Sequence, residues 1–325
     1  MTLPVAAGLS GHAWTVAGAA TGLLARRRLP PAQPWCMDLP DERHGSIRLT
    51  GLYHPVPGAR DVVVVVHGLG GRARSAYCAR AARAVLDAGA SCLRLSLRGA
   101  DRQGEDLYHA GLSSDLAAVL GSAEVGAHER AFVLGFSMGG HLALHLAAAD
   151  GGQRPTAVGA VCPPVDLAAA AHAFDRRIAA PYRSWVLGGL KRSYRALLRR
   201  GRAPSPWDAV RGARTIRELD AVTVCPRHGF ASPEDYYARA SVAAHVSRLA
   251  VPALVVAAER DPMVPADTLR EALAAPGHGL ETWWLDRGGH VGFPRRAAAG
   301  LPTPPGRGPR RGRVEDAVVA WLLAR

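Results

Sequence analysis

The chain has 325 residues, 40 Lys+Arg against 27 Asp+Glu, and a formal charge of +13. With 48% hydrophobic and 21% charged residues the composition is that of an ordinary globular protein, which excludes disordered, collagen-like and coiled-coil classes. Five cysteines, far apart and never spaced C-x-x-C, support neither a disulfide framework nor a zinc ribbon, and read as mostly buried thiols of a reducing, cytoplasmic protein.

At the N-terminus, residues Pro4 to Ala25 carry no formal charge and precede Arg26, Arg27 and Arg28, the reverse of a secretory signal. Gly, Ser, His and Thr dilute the run, so it reads as an amphipathic segment packed on the domain rather than a membrane anchor. Ile47 to Tyr53 alternates apolar and polar residues as a half-buried antiparallel strand does. Asp61 is followed by five valines, a pattern of a strand buried on both faces. Further strands are expected at Ser91–Leu97, Ala131–Gly135, Ala157–Cys162, Ala253–Ala257 and Glu281–Leu285. Helical patterns fall between them at Ser75–Ala88, Ser113–Leu120, Met138–Ala149 and Val314–Ala324. This alternation predicts an α/β fold, a mostly parallel sheet with helices on both faces. From Leu167 to Arg239 no buried strand appears. Tyr182–Arg200 reads as a helix with Val186, Leu190, Tyr194 and Leu197 on one face, followed by loops. The expected organisation is therefore an N-terminal segment over 1–45, a core over 46–166 and 240–325, and a helical cap insertion over 167–239. Pro294–Arg313, with five prolines and six arginines, reads as an exposed loop.

Gly135-Phe-Ser-Met-Gly139 lies between a predicted strand and a predicted helix. A serine hydroxyl is a weak nucleophile unless it is exposed beside a base, and a tight strand-to-helix turn with small neighbours provides that. The acid and the histidine should follow in that order beyond later strands. Asp261 and His290 meet this order, with Glu259 as the alternative acid. In such a triad His290 takes the proton of Ser137 and returns it to the leaving group, while Asp261 fixes the imidazole. Two backbone amides must hold the oxyanion. Met138, at the helix start, supplies one, and Leu69, in the glycine-rich loop His67-Gly-Leu-Gly-Gly71, supplies the other.

These residues resemble a known family. His67-Gly-Leu-Gly-Gly with Ser75-Ala-Tyr77, Arg98-Gly99, Tyr108-His-Ala-Gly111 with Asp115, and Gly135-Phe-Ser-Met-Gly-Gly140 match the YheT-like branch of the α/β-hydrolase superfamily in order and spacing. So do Pro163-Pro-Val-Asp-Leu167, Gly229-Phe with Asp235-Tyr-Tyr237, Asp261-Pro262, Gly288-Gly-His-Val-Gly-Phe293 and the opening Gly11-His12 with Thr15. His141, where that family often has Asn, and Arg260, where it often has Asp, depart from the pattern. The resemblance implies an α/β-hydrolase fold and a serine hydrolase of carboxylic esters, with small-molecule or lipid ester substrates and no cofactor. Acyl transfer on the same triad is the alternative activity. The substrate is not transferable from the branch.

His141 and His145 have the i, i+4 spacing of a metal pair but lack the glutamate and third ligand of a zincin, so no metal is expected. His109 either borders the pocket or fixes its loop. No nucleic-acid-binding motif accompanies the arginines. The charge is local: Arg176–Arg217 holds 12 basic residues and one acid, and Pro294–Arg313 six basic residues and none. Two readings stand, a rim that attracts anionic membrane surfaces or acidic substrates, as a peripheral protein would have, and a compositional drift toward arginine.

Overall fold

A computed structural model describes residues 11–17, 29–275, 279–301 and 312–325. Much of Pro4–Ala25 and of Pro294–Arg313 lies outside the described residues. The strands are β1 (Gln33–Asp41), β2 (Gly45–His54), β3 (Asp61–Val66), β4 (Ser91–Ser96), β5 (Arg130–Phe136), β6 (Ala157–Val161), β7 (Ala253–Ala258) and β8 (Leu280–Leu285). They form one sheet in the order β1-β2-β4-β3-β5-β6-β7-β8, in which β1/β2 and β2/β4 are antiparallel and all later pairs parallel. The helices are α1 (11–17), α2 (Ala76–Asp87), α3 (Ser113–Leu120), α4 (Ala123–Gly126), α5 (Met138–Ala148), α6 (Leu167–Asp175) and α7 (Ala180–Arg199). They continue with α8 (Trp207–Gly212), α9 (Ile216–Val222), α10 (Val224–His228), α11 (Pro233–Ala240), α12 (Ala266–Ala272) and α13 (Val314–Leu323).

The valine run of β3 shows how the sheet is buried. Val62, Val64 and Val66 join the core under α3 and α5, while Val63 and Val65 join the opposite core under α2 and α13. Side chains alternate across a strand, and only a strand covered on both faces needs β-branched residues at every position. Each buried valine contributes about 1.5–3 kcal/mol of apolar burial.

Two elements differ from expectation. The sheet begins at Gln33, because Trp35 and Leu39 of β1 turn their side chains into the core, so part of the segment assigned to the N-terminus is a sheet strand. Pro34 and Pro40 obscure this strand in the sequence, and an edge position tolerates them. The region after α7, expected as loops, forms the short helices α8–α11. Together with α6 and α7 these lie between β6 and β7; α6–α9 bury a cluster of their own, with Phe174, Val186, Tyr194, Leu197, Ile216 and Leu219 in it, whereas Val224 and Cys225 of α10 and Tyr236 and Tyr237 of α11 join the core under α3 and α5. No helix among the described residues is long and apolar enough to cross a membrane. None of the five cysteines is in a disulfide, and four are buried.

Candidate active site

The parallel strands bring their carboxyl ends to one edge, and the residues expected to act follow those ends. Val66 of β3 is in register with Gly135 of β5, so the loop after β3 leaves the sheet beside the turn that carries Ser137. Ser137 adopts φ 51° and ψ −122°, a conformation an L-residue rarely takes, at the junction of β5 and α5. The turn closes because its neighbours lack side chains. A Cβ on Gly135 would fall 2.1 Å from Gly139 O, and one on Gly139 would fall 2.5 Å from Val66 O.

Backbone hydrogen bonds account for most amides around the serine. Ser137 N donates to Val161 O, and Gly140 N and His141 N to Ser137 O. In the loop after β3, Gly68 N donates to Tyr77 Oη at 3.0 Å, Gly70 N to Tyr108 Oη at 2.8 Å, and Gly71 N to Gly68 O at 2.9 Å. The amides of Leu69 and Met138 have no such partner among the described residues, and both residues line the same cavity as Ser137. Buried amides without partners are uncommon and suit an oxyanion. His67 shapes this loop. Its Nε2 accepts from Leu97 N at 3.1 Å, so the ring proton sits on Nδ1 and donates to Gly68 O at 2.8 Å. Burial holds its pKa down at about 4. Sequence reasoning assigned no role to Tyr77, Tyr108 or His67, which act through contacts that no local pattern announces.

Asp261 follows β7 and His290 follows β8. The Nδ1–H of His290 donates to Asp261 Oδ2 at 2.8 Å, and the amides of Met263 and Val264 donate to Asp261 Oδ1 at 2.8 and 3.0 Å. Both side chains are buried. The bond at Nδ1 leaves Nε2 as the basic nitrogen, and His290 lines the cavity with Ser137. A direct hydrogen bond between Ser137 Oγ and His290 is not among those formed; it is the contact that substrate binding commonly tightens. Glu259, the alternative acid, instead pairs with Arg270. The histidine loop is held from two sides. Thr15 Oγ1 of α1 accepts His290 N at 2.8 Å, and Arg80, paired with Glu315, donates to Val291 O at 3.1 Å. Val291 itself has φ 49°.

His141 and His145 are committed to structure. His141 places Nδ1 and Nε2 each 2.8 Å from the carbonyl oxygens of Pro164 and Ala240, while His145 Nδ1 meets Ser113 Oγ at 3.0 Å. Two carbonyl partners suit an imidazolium, yet burial drives the His141 pKa down to about 4; with no carboxylate against the ring, the desolvation cost is the larger effect. His109 does both things expected of it as alternatives: it lines the cavity, and its Nδ1 accepts Gly111 N at 3.0 Å. Among the described residues one trio of possible metal ligands comes together, Cys162, Asp261 and His290, with ligand atoms within 4.8 Å of one another. Its nitrogen and one of its carboxylate oxygens are already bonded to each other.

The cavity has a volume of about 440 Å³ and is walled by α6, α7 and α9 on one side and by the loops after β3 and β4 on the other. Its lining is mainly apolar and includes Leu69, Leu167, Phe174, Val186 and Met263.

This fold, with a strained serine after β5 and an Asp–His pair after β7 and β8, defines an α/β hydrolase. The sequence model described as "Alpha/beta hydrolase family" matches residues 63–300, and the chain belongs to that family. It is 28% identical over 239 residues to the Escherichia coli (strain K12) protein named "Putative esterase YheT", a match covering 71% of this chain and 70% of the relative, in keeping with the resemblance seen in the motifs. Among solved structures, the Pyrococcus furiosus esterase Pf2001 superposes with a TM-score of 0.52 at 16% identity, covering 80% of this chain and 84% of the other. A 2,6-dihydroxy-pseudo-oxynicotine hydrolase superposes with a TM-score of 0.54 at 17% identity, covering 94% and 72%. At these identities the superpositions speak for the fold alone.

Proposed function

We propose that the protein is a carboxylic ester hydrolase that works through an acyl-serine intermediate. Ser137 attacks the ester carbonyl while His290 Nε2 takes its proton; the tetrahedral oxyanion is held by the amides of Leu69 and Met138. His290 then protonates the leaving alcohol, and a water activated by the same nitrogen releases the acid. Asp261 keeps the imidazole proton on Nδ1 and stabilises the imidazolium that forms. No cofactor is required. The observation that carries this reading is the amide accounting around Ser137. Among the described residues neither donor named for the oxyanion has a partner, and the cavity also holds a histidine whose Nε2 makes no hydrogen bond. The helices of 167–239 serve as the cap that walls this cavity.

A p-nitrophenyl ester series of increasing acyl length tests the reading. Wild type should hydrolyse at least one member, with Ser137→Ala reduced by roughly 10³-fold or more. Equal rates in the two proteins would sink it. Adding an alcohol and analysing products separates hydrolysis from acyl transfer to that alcohol.

The cavity mouth favours esters presented at a lipid surface. Val16 and Trp185 line the cavity yet are 61% and 66% exposed, and Ile178 is 61% exposed. Arg176, Arg177, Arg192, Arg195 and Arg199, on the same segment as Trp185, are exposed too. Exposed large apolar side chains beside cations match a peripheral contact with anionic lipid. Binding to liposomes that ignored both anionic lipid content and salt would contradict it.

A further inference from the structure

Asp220, on α9, has no place in the chemistry just described, yet it lines the cavity that holds Ser137 and His290. Its Oδ2 accepts the Tyr237 hydroxyl at 2.8 Å. Among the described residues its Oδ1 accepts from no group, and no arginine, lysine or histidine pairs with it. The other cavity-lining carboxylate, Asp106, is different: both its oxygens are taken by Arg98 and Arg227. Close by, on α6, Asp175 has a buried Oδ1 without a partner among the described residues. A carboxylate oxygen left unmatched in an apolar cavity is costly, and the cost is removed by a ligand that brings a hydrogen-bond donor.

We propose that Asp220 is a specificity residue, receiving a hydroxyl or ammonium group that the substrate carries away from its scissile ester. The inference rests on the ester-hydrolase reading of Ser137 and names the kind of ester that site selects. Burial and the neighbouring Asp175 carboxylate push the Asp220 carboxyl up to about 7, against the pull of the Tyr237 hydroxyl. That is the behaviour of an acid lacking a compensating donor. Structural need alone does not explain the arrangement, since Tyr237 engages only one of the two oxygens. A site built to hydrogen-bond a substrate group rejects the analogue lacking it far more strongly than an apolar pocket rejects an extra methylene.

The test compares p-nitrophenyl esters of plain, ω-hydroxy and ω-amino fatty acids across chain lengths, on wild type, Asp220→Leu and Asp220→Asn. Binding of the corresponding methyl esters to Ser137→Ala protein is measured by calorimetry in parallel. At one chain length wild type should prefer an ω-substituted ester about 10–100-fold in kcat/KM, and Ser137→Ala should show the same order in Kd. Asp220→Leu should erase or invert the preference. Asp220→Asn should lose any ammonium preference while keeping a hydroxyl one, which separates the two donors and serves if the leucine variant does not fold. Hydrolysis with no preference at any length, or a preference that survives Asp220→Leu, overturns the inference. Binding selectivity without turnover of any ester would instead overturn the hydrolase reading and leave the role of Asp220 standing.

Discussion

Thr15 Oγ1 accepts the backbone N–H of His290 at 2.8 Å, across 275 residues of sequence. The same hydroxyl donates to Gly11 O at 2.9 Å, within α1, so the helix end and the histidine loop are tied through one oxygen. Misplacing a catalytic group by about 1 Å can cost on the order of 10²-fold in rate. Thr15→Val, nearly the same size but without the acceptor, should lower kcat about 10–100-fold with little change in KM. Thr15→Ser should keep most of the activity. Steady-state kinetics on the three proteins decides; a valine variant with unchanged kcat would show that α1 does not position His290.

Gly68 makes a second close approach. A Cβ there would fall 2.9 Å from Ser137 Cβ and 3.2 Å from Phe136 O, so Gly68→Ala must shift either the serine or the loop bearing Leu69. Loss of one oxyanion donor costs about 10²–10³ in rate in other hydrolytic enzymes. The expected result is a kcat reduced on the order of 10²-fold with the melting temperature nearly unchanged. An alanine variant as active as wild type would remove the loop from the chemistry.

These two contacts mark the limit of what the sequence discloses. The valine run of β3, the Gly135–Gly139 turn and the order of Ser137, Asp261 and His290 are local or ordered patterns, and they announce the sheet and the three side chains. Thr15 and Tyr108 act on backbone groups 275 and 38 residues away, and Tyr77 bonds Gly68 N across the loop after β3, so their roles appear only once the fold brings them together. In β1, Trp35, Met37 and Leu39 do alternate, but two prolines hide a strand that only an edge position allows. The helices α8–α11 have five to eight residues each, too short for a 3.6-residue period to register. Asp220 stands in α9 with no motif around it that signals a cavity.

Two buried histidines predict a pH dependence of stability. His67 Nε2 accepts Leu97 N–H, and His54 Nε2 accepts from the Arg94 guanidinium at 3.0 Å, so each ring must be neutral in the fold. Burial, aided at His54 by Arg94, lowers both pKa values to about 4, below the ordinary 6.5. In the unfolded chain both bind protons below about pH 6.5, whereas the folded protein does not until about pH 4. The stabilisation is therefore complete above pH 6.5 and is lost as pH falls toward 4, by on the order of 3 kcal/mol per histidine. Urea unfolding at steps between pH 7.5 and 4.5 should show a steep decline, and a flat profile would contradict the neutral assignment.

The core and the helices inserted between β6 and β7 are joined by a buried charge cluster. Asp106 accepts from Arg98 at 3.0 Å and from Arg227 of α10 at 2.5 and 2.7 Å, Arg227 reaches Asp41 at 2.8 Å, and Arg98 grips Asp115 at 2.6 and 2.8 Å. Removing one member of such a cluster leaves unpaired buried charge, at a cost of about 3–5 kcal/mol. Asp106→Ala should lose that much in urea unfolding. Adding Arg227→Met should cost less than the sum of the single changes, because the arginine has already lost a partner. Strict additivity would mean that the two side chains do not cooperate.

The central claim is that Ser137 is the nucleophile, and covalent labelling tests it with no assumption about substrate. After incubation with a fluorophosphonate, intact-mass and peptide analysis of wild type should show a single adduct on the peptide carrying Ser137. Labelling should be absent in Ser137→Ala and strongly slowed in His290→Ala. A folded wild-type protein that takes up no label, or a Ser137→Ala variant that labels as fast as wild type, would contradict the account.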